Sequence, residues 1–177
     1  MNRTKMKCLI ATATILVATV EPAIAGGPVS PEVFKTNYNL HAGDLLPVLQ
    51  TTKCRTIDVA KRPGKSILEC RTQASNALLT IDGMNNRFES AWLMVDASAL
   101  PHPSDLMRAG GLLLRVAKGY HYGDHLALAQ QAITGALKNK GKPSCINDPA
   151  SGGRLCVTTD NGGIYNMVLD RAQPTKG

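Results

Sequence analysis

The chain has 177 residues, 44% of them hydrophobic and 19% charged, with 20 basic and 13 acidic residues and a formal charge of +7. A chain of this size is one ordinary domain's worth and enough to bury a core. Two Phe, one Trp and four Tyr are too few to build the stacking platforms that single-stranded nucleic acid needs, so nucleic acid is not an expected partner.

The first segment reads as an export signal. Arg3, Lys5 and Lys7 make a basic start, Cys8 to Val20 is an uncharged and mostly apolar run, and Ala23-Ile24-Ala25 has the small-x-small pattern of a signal-peptidase site. The run is shorter than the roughly 20 apolar residues of a spanning helix. Residues 1–25 are therefore expected to be removed, which places the mature chain in the periplasm or outside the cell, with no transmembrane segment. Processing leaves 177 less 25, or 152 residues, and 17 basic against 12 acidic side chains, a charge of +5. A modest positive excess favours a protein partner or an anionic envelope component.

Residues 26–42, rich in Gly and Pro at their start, are expected to form a flexible lead, and residues 43–172 a single domain followed by a flexible tail over 173–177. Gly43 to Gln50 carries Leu45, Leu46, Val48 and Leu49 and predicts a short helix capped by Asp44. Arg55 to Ala60 and Ser66 to Thr72 predict a hairpin around Lys61-Arg62-Pro63-Gly64-Lys65, and Asn76 to Asp82 with Phe88 to Asp96 a second around Gly83-Met84-Asn85-Asn86. In Phe88 to Asp96 both alternating sets are largely apolar, the pattern of a central strand covered on both faces.

The period then changes. Ser104 to about Lys118 predicts a helix with Leu106, Met107, Leu113, Leu114 and Ala117 on or near one stripe. Gly110-Gly111 in its middle costs about 1 kcal/mol per glycine relative to alanine, and such a pair permits close approach of another element. Asp124 to about Lys140 predicts a second helix through Leu126, Ala129, Ile133, Ala136 and Leu137, with Gly141 as its C-cap. Cys145 to Asn147, Arg154 to Thr159 and Ile164 to Asp170 complete the chain as strands, the last two joined by Asp160-Asn161-Gly162-Gly163. The expected fold class is α+β: an antiparallel sheet with two long helices packed on one face and two disulfides.

Once Cys8 leaves with the signal, Cys54, Cys70, Cys145 and Cys156 remain. An even count in an oxidising compartment predicts disulfides, and the turn between each pair favours Cys54–Cys70 and Cys145–Cys156. No CxxC spacing supports a structural zinc site.

The densest cluster of chemically versatile residues is Tyr120, His121, Tyr122, Asp124 and His125, between the two long helices. His121, Asp124 and His125 are the candidate metal ligands, because imidazole and carboxylate suit zinc, although Asp124 also reads as a helix cap. Tyr120, His121 and Tyr122 are candidate binding residues, as are Lys61, Arg62 and Lys65 at the basic hairpin tip. His102, Ser104 and Asp105 read as a loop feeding a helix. Asp82, Glu89 and Asp96 are candidate members of a carboxylate pair for sugar hydrolysis, a role disfavoured by the scarcity of aromatic residues. No G-x-S-x-G, G-x-G-x-x-G or P-loop pattern occurs, no catalytic set is assigned, and no cofactor is expected. The sequence therefore reads as an exported, non-catalytic binding or protein-interaction module of the bacterial envelope. Its alternatives are a metal-assisted hydrolase built on the Tyr120–His125 loop and a small-ligand carrier with a cavity between sheet and helices.

Overall fold

A computed structural model describes residues 29–118, 124–148, 153–160 and 162–171. Helix α1 spans Pro31–Leu45. Ser30 caps it, its hydroxyl accepting from the Val33 amide at 3.3 Å, and Pro31 occupies the first turn, where a missing N–H does no harm. Phe34, Tyr38, His41 and Ala42 recur at helical spacing and are buried. The flexible lead expected over 26–42 is thus corrected for its described part: residues 31–42 are helical and packed in the core. The Ser-Pro start and the 34/38/41 stripe were the signals, masked by the Gly- and Pro-rich residues ahead of them. Pro47 disfavours helical geometry at Leu46, which lies at φ −157°, and the expected helix over 43–50 resolves into the end of α1 and a 3-10 turn, Pro47–Leu49.

Four strands follow: β1 (Thr51–Asp58), β2 (Lys65–Thr72), β3 (Ala77–Met84) and β4 (Arg87–Asp96). Helices α2 (Asp105–Lys118) and α3 (Asp124–Lys138) precede β5 (Ser144–Asp148), β6 (Gly153–Thr159) and β7 (Ile164–Arg171). All pairings are antiparallel, in the order β1-β2-β3-β4-β7-β6-β5, which leaves β4 in the centre. The second group of strands starts at the far edge and works inward until β7 meets β4.

Turn chemistry sets the registers. Asn85 and Asn86 both have positive φ, as a two-residue turn between twisted strands requires. The Asp160 carboxylate accepts from the amides of Gly162 and Ile164 at 2.8 and 3.0 Å, closing the last hairpin. Both disulfides form as the spacing predicts, Cys54–Cys70 and Cys145–Cys156. Each joins directly opposed residues, and each ties an edge strand to its inner neighbour. The irregularity in the first hairpin lies at Thr51/Lys53, ahead of Cys54.

Alternation divides the sheet. Leu79, Ile81, Leu93, Val95, Leu155, Val157, Met167 and Leu169 share one face and are buried. On that face Phe88 stacks on Phe34 of α1 with ring centroids 4.4 Å apart. A Cβ at Gly110 of α2 would touch Leu155 and Met167, and one at Gly135 of α3 would strike Ser144. Helix α2 has Ala109 and Leu112 to Leu114 fully buried, because α1 and α3 flank it. Gly110 and Gly111 are where α3 comes closest: their added Cβ atoms would lie 3.1 Å from Ala129 and 3.0 Å from Leu126.

Candidate functional site

The basic hairpin tip is built on two turns that touch. The Asn85 amide donates to the Gly64 carbonyl at 2.7 Å, so the β3–β4 turn buttresses the β1–β2 turn. Gly64 has φ +80°, and a side chain there would collide with Asn85. Lys61 and Arg62 are exposed at this tip. Lys65 is half-buried in β2 and pairs with Asp82 of β3 at 3.2 Å. The three predicted cationic residues therefore divide: two face solvent and one is partly neutralised across the sheet.

Tyr120, His121 and Tyr122 lie outside the described residues. Of the candidate metal ligands, His121 shares that position, Asp124 is described only as the first residue of α3, and His125 is buried at 4% exposure beside the contact of α3 with Gly111. Among the described residues no group of three or more His, Cys, Asp or Glu side chains converges as a metal site.

Asp105 opens α2 at 1% exposure, with one carboxylate oxygen accepting from the His102 amide at 3.0 Å and the other from Arg108 at 3.0 Å. It ties the incoming loop to the helix, in keeping with the loop reading of 102–105. Asp96 likewise accepts from the Ser98 amide and hydroxyl, and these bonds hold its carboxyl below the usual range. Asp82 is the partner of Lys65, whereas Glu89 is exposed near the opposite end of β4 from Asp96.

A half-open groove of about 300 Å³ lies among the loop before α2, α3 and Tyr165 of β7. Leu100, Leu106, Met107 and Ile133 form its apolar wall, and His102, Gln130 and Thr134 supply polar groups. This is the low end of the size range for small-molecule sites. It is flanked by the helices rather than enclosed between them and the sheet, where the carrier alternative expected a cavity.

Two features were not read as sites from the sequence. One is a buried polar set between α1 and α2. There burial and the Arg115 guanidinium pull the His41 imidazole below its ordinary value against a smaller upward effect of Asp44, while burial raises the phenol of Tyr38. The other is the sheet face opposite the core, where Trp92, on the central strand, is 44% exposed and donates its indole N–H to Asn166 of β7 at 3.2 Å. The two-faced apolar pattern of Phe88 to Asp96 was the available signal for that face.

No protein-family model matches the chain, and comparisons with curated proteins and with solved structures return no significant match. Among the described residues no helix is long and apolar enough to cross a membrane. What defines the class of this molecule is its own architecture, a seven-stranded antiparallel sheet with three helices and a disulfide at either edge.

Proposed function

We propose that the chain is an exported, non-catalytic binding module that works in the periplasm or outside the cell after loss of residues 1–25. The observation that carries this reading is the pair of disulfides, one clamping each edge of the sheet. Such bonds persist in oxidising compartments and are rare in the cytosol. In this reading α2 and α3 pack together on one face of the sheet as a rigid support. The partner is a protein or anionic envelope component, met by the Tyr120–Tyr122 loop and by the Lys61/Arg62 tip. The backbone of that tip is braced by the neighbouring turn, which lowers the entropy lost when it binds.

The decisive experiment has two readouts. Mass spectrometry of protein from its native host is expected to find a chain starting near Gly26 with its four cysteines oxidised; an intact Met1 end with free thiols overturns the export reading. Vesicles containing an anionic phospholipid are then compared with neutral vesicles at low and physiological salt. Binding to the anionic set, weakened by Lys61→Glu with Arg62→Glu, supports the tip as the contact, and binding lost on Tyr120→Ala, His121→Ala and Tyr122→Ala supports the loop. If neither set of changes alters capture, the binding assignment is wrong.

A second reading, a small-ligand carrier, is favoured only by the groove beside Tyr165, whose apolar walls and few polar groups suit a compact, largely apolar molecule.

A further inference from the structure

Strand β1 buries almost nothing and is nevertheless fixed in the sheet. It lies at one edge, and among the described residues nothing pairs with its outer side. Thr52 to Asp58 are all exposed, so neither face of the strand is closed off by a helix. The other edge is different: β5 is five residues long and is packed by α3. What holds β1 is its ladder with β2 and the Cys54–Cys70 disulfide. Edges that must stay unpaired are commonly shortened, bulged, broken by proline or covered. From Lys53 to Asp58 β1 has none of these devices, and its irregularity lies ahead of that stretch, at Thr51/Lys53. The one device it carries is positive charge.

Register decides which backbone groups this edge offers. Cys54 and Cys70 are directly opposed with Cα atoms 4.1 Å apart, the narrow spacing of a non-hydrogen-bonded pair. The bond from the Val59 amide to the Lys65 carbonyl, at 3.5 Å, falls on the alternate set. Arg55 and Ile57 therefore turn their N–H and C=O groups inward to β2, whereas Cys54, Thr56 and Asp58 turn theirs outward to solvent. These outward groups recur about every 7 Å, the repeat that an added antiparallel strand matches.

We infer that β1 is a docking edge for an extended, acidic peptide segment of another protein, which adds to the sheet as an antiparallel strand. In this mode main-chain bonds supply affinity and the alternating side chains supply selection. On the open face of the sheet the edge row runs Lys53, Arg55, Ile57, and Arg71 of β2 stands directly opposite Lys53. Arg55 is paired with Glu69 at 2.7 Å, whereas Lys53 and Arg71 have no acidic partner among the described residues. Like charges directly opposed across strands repel, and a carboxylate brought beside Lys53 by an incoming strand relieves that repulsion.

A second copy of the chain fits this edge less well. Its own β1 brings cations and no carboxylate to the Lys53–Arg55 row, because the one acid of β1, Asp58, lies on the other face by alternation. The segment that fits carries, from its N-terminus, an apolar residue opposite Ile57 and carboxylates opposite Arg55 and Lys53. Small uncharged residues between them meet Cys54, Thr56 and Asp58. Because the disulfide holds β1 in place before the partner arrives, little ordering of this chain is left to oppose binding. This contact goes beyond the envelope-binding reading and does not depend on it, since it uses neither the Lys61/Arg62 tip nor the Tyr120–Tyr122 loop.

The probe is a synthetic end-blocked peptide in which one valine and then two glutamates are separated by single threonines. It is titrated into the oxidised chain from roughly 1 μM to 1 mM, with binding read by calorimetry and by amide hydrogen exchange. Saturable binding is expected, with exchange slowed at Cys54, Thr56 and Asp58, the amides that face outward. The same peptide N-methylated at the residues that would donate to β1 keeps every charge and is expected not to bind. Thr56→Pro removes one outward donor and no bond to β2, and is expected to weaken binding by about tenfold or more. A peptide with lysine in place of the glutamates is expected to be rejected by the wild-type chain and to bind better to Lys53→Glu. Absence of saturable binding overturns the inference. Equal binding of the N-methylated peptide, or binding without slowed exchange at the three amides, reduces the contact to charge capture and overturns it too. The N-methyl comparison alters only the probe, so it decides the question even where Thr56→Pro fails to fold.

Discussion

His41 shows how one buried side chain ties stability to pH. It lies in α1 at 4% exposure, with Arg115 of α2 disfavouring its charged form and Asp44 opposing that effect more weakly. Its folded pKa is below the ordinary value of 6.5, so the unfolded chain takes up the proton first as pH falls. The stability this group supports is therefore complete above about pH 6.5 and declines as pH drops through that value toward the lower folded one, by at most about 1.4 kcal/mol per pH unit for a single proton. Urea unfolding at pH 7.5 and pH 5 is expected to show this loss, and His41→Gln is expected to reduce it. An unchanged pH difference in the variant would assign the titration elsewhere. None of this was legible from the sequence, because a lone His in a segment read as flexible carries no sign of burial. The four cysteines were legible, because their pairing depends on local turns and not on distant packing.

At the level of elements, the two neighbouring glycines of α2 play different parts. A Cβ at Gly110 would meet the Ala129 Cβ at 3.1 Å, an atom fixed to the backbone of α3, so α3 itself must move. At Gly111 the nearest atom is the end of Leu126, a side chain that is 48% exposed and free to turn away. Alanine raises helix propensity by about 1 kcal/mol at either position. Gly111→Ala is thus expected to be neutral or stabilising by up to about that amount, whereas Gly110→Ala loses the gain to displaced packing and Gly110→Val destabilises by about 1–3 kcal/mol through overpacking. Thermal and urea denaturation of the three variants checks the order. The close approach was anticipated from the glycine pair, but not which residues of α3 would fill it. Small residues, Ala129, Ala132 and Ala136, take the packed side, and Leu126 and Leu137 of the predicted stripe stay exposed.

For the whole molecule, the disulfides act on edges of unequal dependence. Strand β1 is exposed along nearly its full length, whereas β5 is also covered by α3. Each bridge contributes about 3 kcal/mol in the chain-entropy model. Cys54→Ala with Cys70→Ala is expected to release β1, seen as loss of hydrogen-exchange protection along β1 and the outer side of β2. Cys145→Ala with Cys156→Ala is expected to lower global stability by a similar amount while β5 stays protected against α3. Equal fraying at both edges would show that α3 does not hold β5.

The sequence by itself determined the order of elements after residue 50, the turns between them and the pairing of the cysteines, because each rests on interactions among residues near one another in the chain. It also marked β4 as largely apolar on both faces. Only the tertiary structure decided that β7 lies beside β4, that residues 31–42 are a core helix, that His41 and Arg115 are buried together, and that one face of the sheet is left open around Trp92. Those outcomes depend on how distant segments fill a shared interior, and a one-dimensional pattern records the demand for cover without recording what supplies it.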